Sequence, residues 1–162
     1  MTTTRPVRQI RDISGLLDHA SHVLATRMAA AFAELAITPR AYCVLYHAQE
    51  AERTQIQLAE LADLDKTTMV VTVDELEKAG LAERRPSATD RRARIISVTE
   101  AGGRVVEQGT EIADRVHREV LEALPEPERA VFLSALARLV EGHLAEPVES
   151  ERTVRRARRA RG

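Results

Sequence analysis

The chain has 162 residues, enough for one domain and too few for two ordinary ones, and its 44% hydrophobic content excludes a wholly disordered polymer. Aromatics at 2%, charged residues at 30%, seven glycines and six prolines favour helices built on Leu, Ala and Val over a turn-rich sheet. The single cysteine, Cys43, excludes an intramolecular disulfide and a cysteine-rich zinc site, and the net charge of −1 excludes a uniformly basic surface.

Residues 1–11 carry no apolar signal core, and no apolar run approaches the roughly 20 residues of a bilayer span, so a soluble, cytoplasmic chain with no membrane partner is expected. The first helix is predicted over residues 10–35, where Ile13, Leu17, Ala20, Leu24, Met28, Ala31 and Leu35 share one face. At 1.5 Å per residue it would be roughly 39 Å long, more than a small globule covers from within, so part of the stripe is expected to pack on another subunit. Thr38 followed by Pro39 starts a second helix over residues 40–50, with Tyr42, Leu45 and Tyr46 as its apolar positions. Thr54 and Gln57 form a capping box that opens a short third helix containing Leu58 and Leu61. Asp65 caps a fourth, with Met69, Val73 and Leu76 buried and Gly80 at its left-handed exit.

Two short helices joined by so tight a turn form a helix-turn-helix pattern. Residues 81–85 and 94–98 then alternate weakly around the break Pro86-Ser87-Ala88-Thr89-Asp90, which predicts a hairpin, the wing of a winged variant. Thr99 caps a fifth helix over residues 100–124, with Val105, Ile112, Val116, Val120 and Leu124 on one side. Pro125 and Pro127 open a sixth helix reaching about residue 145, with Val131, Leu136, Leu139, Val140 and Leu144, and Pro147 stops it. The fold class is therefore mainly α with a small two- to three-stranded β-wing. Residues 1–9 and 147–162 are expected to be flexible termini.

The charge is unevenly spread. Residues 147–162 hold six arginines against Glu149 and Glu151, a segment of +4 that leaves −5 for residues 1–146. Within that acidic body residues 83–94 hold five arginines against Glu83 and Asp90, for +3. Local patches, rather than the total, decide whether a phosphate backbone is attracted.

A helix in the major groove reads base edges with residues near its N-terminus. Here those are Lys66, Thr67, Thr68, Val70 and Val71. Lys66 suits a phosphate or a guanine edge, the threonines can hydrogen-bond phosphate or base, and the Thr methyls and Val71 suit thymine methyl groups. The plain alternative is that the threonines cap and solvate an exposed helix. On the wing, Arg84, Arg85, Arg91, Arg92 and Arg94 can enter a narrow minor groove, with Asp90 orienting Arg92. The plain alternative there is a solvated hairpin with surface ion pairs. The tail arginines either add salt-sensitive contacts or merely solubilise.

Residues 90–102, Asp-Arg-Arg-Ala-Arg-Ile-Ile-Ser-Val-Thr-Glu-Ala-Gly, resemble the D-x-R wing of the MarR family, followed by its strand and the T-x-x-G start of its fifth helix. Leu64-Asp65-Lys66-Thr67-Thr68 through Leu76-Glu77-Lys78-Ala79-Gly80-Leu81 resembles that family's recognition helix and its exit. The resemblance covers residues 10–146. It implies a six-helix protomer in a homodimer, with residues 10–37 and 100–146 as the helical dimerisation domain and residues 38–99 as the winged DNA-binding lobe. It also implies double-stranded DNA as partner, through a pseudo-palindromic operator, and repression relieved by a small-molecule effector or an oxidant. By family match, Asp90 and Arg92 are the wing pair and residues 66–71 the reading face. Val70 and Val71 stand where many relatives carry a small hydroxyl residue and an arginine, so no operator sequence is carried over.

Family effector pockets lie between the DNA-binding lobe and the dimer helices, which here makes His19, His22, Arg27, Tyr42, Cys43, Tyr46 and His47 the candidates. Cys43 differs in position from the early first-helix cysteine of peroxide-sensing relatives, and a lone helical cysteine is more often a small core residue. Only His19 and His22, of His19, His22, His47 and His117, have local ligand spacing, so no metal and no cofactor are predicted. No glycine loop or nucleophile–base pair stands in motif context, so an enzyme is not expected. The rival reading is a winged-helix interaction module that dimerises or docks a protein without touching DNA, which is favoured if Glu75, Asp74 and the acidic body neutralise the face of the Lys66 helix and the Arg92 wing.

Overall fold

The computed structural model describes residues 12–87, 93–146 and 148. Among them run six α-helices and two strands: α1 Ile13–Phe32, α2 Pro39–Glu50, α3 Gln55–Leu61, α4 Lys66–Lys78, β1 Ala82–Pro86, β2 Arg94–Val98, α5 Glu100–Glu122 and α6 Glu126–Glu141. A short 3-10 helix, Ala33–Leu35, follows α1. Two compact units part between Glu119 and Val120, within α5. The first thus joins α1 and most of α5 to the helix-turn-helix and its hairpin.

Local chemistry sets most boundaries. The Thr38 hydroxyl accepts from the Ala41 amide at 3.1 Å, with Pro39 in the first helical position where its missing N–H costs nothing. Thr54 and Gln57 satisfy each other's amides at 3.2 and 2.9 Å, closing the capping box. Gly80, at φ +71, takes the left-handed turn after α4. The helical stretch reaches Leu35, where the periodicity ends, but its last turn is not α-helical. It tightens into the 3-10 turn after Phe32 and ends at Ala36, which adopts φ 52.

The core of this unit gathers Val44, Leu45, Leu58, Met69, Val73, Leu76, Leu81, Ile96 and Val106. The face α2 buries is Ala41, Val44, Leu45 and Ala48. Tyr46, expected among its apolar positions, is instead exposed, because the spacing 41, 44, 45, 48 follows the helical period and leaves 46 on the other side. On α5 the buried residues are Gly102, Val106, Gly109, Ile112, Ala113 and Val116, while Val120 is exposed. A smaller cluster of Phe32, Ile112 and Ala113 lies alongside. Tyr42 packs against both clusters, and its hydroxyl lies 3.0 Å from Thr110 Oγ1. Thr110 spends its own proton on the Val106 carbonyl at 2.9 Å, so Tyr42 is the donor.

In the second unit α6 follows Pro125, and the Arg129 Nε donates to the Leu124 carbonyl at 3.0 Å. Its Val131, Phe132, Leu133, Leu139 and Val140 are exposed. Ile13, Leu16 and Leu17 of α1 are exposed as well. No single helix among the described residues is long and apolar enough to cross a membrane.

Candidate nucleic-acid interface

Helix α4 opens on Asp65, whose carboxylate accepts from the Thr68 amide at 2.9 Å and from the Thr68 hydroxyl at 2.6 Å. Those bonds hold the Asp65 carboxyl below the usual aspartate range. Lys66 and Thr67 are exposed in the first turn, and Val70 and Val71 are exposed in the next, with Met69 and Val73 buried behind them. Thr68 departs from the sequence expectation. Its hydroxyl proton is committed to the cap, so toward DNA it keeps only acceptor capacity.

The strands pair antiparallel with Ala82 opposite Val98, Arg84 opposite Ile96 and Pro86 opposite Arg94. An isolated antiparallel bridge from Thr54 to Ile95 pairs the start of α3 with β2 as the beginning of a third strand. Since strand side chains alternate between faces, Arg84 shares the inner face with buried Ala82 and Ile96. Its guanidinium thus turns inward, where its place in a basic run suggests an outward one. Its guanidinium meets Asp74 Oδ1 at 2.6 Å and Glu77 Oε2, donates to Gln55 Oε1 at 3.2 Å and reaches the Val70 carbonyl at 3.3 Å. From sequence, Gln55 and Glu77 are not marked as partners of Arg84, and Asp74 enters only as a carboxylate that could neutralise the Lys66 face; no local signal joins the three to Arg84.

Arg85, on the outer face, is exposed and pairs with Glu83 at 3.0 Å. Arg94 is also exposed, and its Nη1 donates to the Ala93 carbonyl at 3.3 Å. Asp90, Arg91 and Arg92 lie outside the described residues.

The effector candidates divide. Tyr42, Tyr46 and His47 form a row of rings with centroids 6.0 and 5.4 Å apart, and Phe32 stacks obliquely on Tyr42 at 5.0 Å. His47 Nδ1 lies 3.1 Å from Glu50, and this hydrogen bond, helped by Arg53, lowers the Glu50 carboxyl. Cys43 is half-buried, and burial, with the Asp63 charge adding, pushes its thiol up rather than toward a reactive thiolate. His19, His22 and Arg27 are exposed on α1. An open groove of about 500 Å³ lies elsewhere, between Ala48, Gln49 and Glu52 at the end of α2 and Arg85, Ile95 and Ser97 of the strands. Among the described residues no three His, Cys, Asp or Glu side chains are placed to hold a metal ion.

A family model described as MarR family matches residues 37–93. A probable transcriptional regulator from Pseudomonas aeruginosa is 30% identical, with 82% of this chain and 99% of that one covered and a TM-score of 0.69. A MarR-family transcriptional regulator from Rhodococcus sp. RHA1 is 27% identical, with 82% and 95% covered and a TM-score of 0.74. CouR from Rhodococcus jostii RHA1, solved with p-coumaroyl-CoA, is 28% identical, with 87% and 96% covered and a TM-score of 0.71. The repressor CouR has also been solved on a 23-mer DNA duplex; in that structure it is 25% identical, with 79% and 92% covered and a TM-score of 0.72. The chain belongs to the MarR family of transcriptional regulators.

Proposed function

We propose that this chain is a sequence-specific DNA-binding repressor that sits as a homodimer on a pseudo-palindromic operator and is released by a small-molecule effector. The observation that carries the reading is the leading half of α4, which presents Lys66, Thr67, Val70 and Val71 to solvent directly before a hairpin bearing exposed Arg85 and Arg94. A cation and a hydroxyl at a helix N-terminus suit phosphate and base edges, and two valines suit thymine methyl groups. CouR, a relative with the same fold, engages a DNA duplex and in another structure p-coumaroyl-CoA, which supports both halves of the proposal.

Residues 38–99 would form the DNA-binding lobe, and residues 10–37 with 100–146 the dimerisation domain. The exposed apolar residues of α1, and separately those of α6, would each be covered by a second copy. Two-fold symmetry would then set the reading helices roughly 34–36 Å apart, one turn of DNA. A protein-docking module would be favoured if Glu75, Asp74 and the acidic body neutralised the face of the reading helix. Asp74 is paired with Arg84, whereas Glu75 is exposed on the same helix.

Selection from random duplexes with the full chain tests the proposal. The expected result is an enriched inverted repeat, bound by a dimer in sedimentation, with affinity falling steeply as salt rises. Failure to enrich any sequence, or binding by a single protomer, would overturn it.

A further inference from the structure

We propose that Arg84 is a positioning residue, a strut that fixes the reading helix against the wing, and not a ligand of DNA phosphate. This rests on the DNA-binding reading above. One guanidinium on β1 reaches Gln55 on α3 and Val70, Asp74 and Glu77 on α4, so it touches every element of the helix-turn-helix and the base of the hairpin. Glu77 closes the joint from the other side, since its Oε1 also accepts the Arg84 backbone amide at 2.8 Å. Only 22% of the Arg84 side chain is exposed.

Two consequences follow from the chemistry. A planar fork with five N–H donors holds several acceptors in fixed directions, whereas a lysine ammonium acts as a point charge and cannot span the same partners. The strut also offsets negative charge on α4. Without Arg84, Asp74 and Glu77 would stand as unpaired carboxylates on the helix that approaches DNA.

The test uses the full chain as wild type, Arg84→Lys and Glu77→Gln, with anisotropy titrations on the selected operator and on an unrelated duplex of equal length over a salt series. Arg84→Lys keeps the charge and loses the fork. We expect roughly a tenfold loss on the operator, at most about a twofold loss on the unrelated duplex, and an unchanged salt slope. Glu77→Gln removes a negative charge, so electrostatics alone would tighten both complexes. The strut instead predicts a weaker operator complex with the unrelated one no weaker.

Wild-type affinity in Arg84→Lys, or uniform tightening in Glu77→Gln, overturns the inference. So does a uniform loss in Arg84→Lys accompanied by a smaller salt slope, the mark of a phosphate contact. Should Arg84→Lys fail to fold, Glu77→Gln decides alone. A wild-type chain that selects no duplex overturns the DNA-binding reading and the strut together, while selective wild-type binding with contrary variants removes only the strut.

Discussion

Replacing Gly102 by alanine tests the joint between the exit of α4 and the start of α5. The Leu81 carbonyl accepts the Thr99 amide at 3.1 Å, the Thr99 hydroxyl donates to the Gly80 carbonyl at 2.8 Å, and the same hydroxyl accepts from the Gly102 amide at 3.0 Å. A methyl group at 102 would overlap the Leu81 carbonyl oxygen and lie 2.8 Å from Val98 Cγ1. Because the obstruction is backbone, it cannot swing aside, and the overpacking cost belongs near the upper end of the usual range, about 3 kcal/mol. Alanine's helix preference returns about 1 kcal/mol, for a net loss of about 2 kcal/mol. Gly103 is the internal control. The nearest atom to an added methyl there is Gln49 Nε2 at 3.9 Å, so Gly103→Ala should gain up to about 1 kcal/mol. The gap of about 3 kcal/mol corresponds to about 6–12 °C in Tm for a chain of this size. Circular-dichroism melts at one protein concentration read it directly. Two alanine variants melting within about 2 °C of each other, or Gly103→Ala melting lower, would refute the packing argument.

Lys66→Ala should weaken binding about equally on all duplexes and lower the salt slope by about one, as loss of a phosphate contact does; sequence-dependent loss in the same titrations would assign Lys66 to a base instead. Asp65→Ala should lower Tm at neutral pH. Because the folded Asp65 carboxyl is held low, its contribution is complete above the unfolded value near 3.9 and disappears as pH falls through the lower folded value, so melts of variant and wild type should converge only below about pH 3.9. Cys43, its thiol raised by burial, should react with a disulfide reagent at pH 8 far more slowly in the folded chain than in urea; equal rates would contradict the burial.

Much of the architecture was legible because its signals are local. Thr38-Pro39, Thr54 with Gln57, Asp65 and Gly80 each satisfy or redirect backbone groups within four residues, and each stands where the structure uses it. The helical stretch ends at Leu35, where its periodicity stops, but its tightening into a 3-10 turn after Phe32 was not legible, nor was the left-handed conformation that Ala36 takes without being glycine. On α2 the conspicuous tyrosines drew the apolar reading, although Ala41 and Ala48 complete the buried face. Small side chains bury readily and announce themselves poorly. Arg84 shows the corresponding limit at the candidate interface. A run of arginines looks uniformly outward as a charge pattern, whereas the pleat sends Arg84 and Arg85 to opposite faces. Only the pairing of Arg84 with Ile96 reveals which faces inward.

Tyr42 and Gly109 illustrate how one ring can dictate a neighbour's identity. A methyl group at 109 would overlap Tyr42 Cδ2, lie 2.7 Å from its Cε2 and stand 3.2 Å from Phe32 Cε1. The glycine tolerated in the middle of α5, against helical preference, is therefore a socket cut for an aromatic side chain. In descent or in redesign, positions 42 and 109 must change as a couple: a bulkier residue at 109 becomes admissible only once the ring at 42 has shrunk.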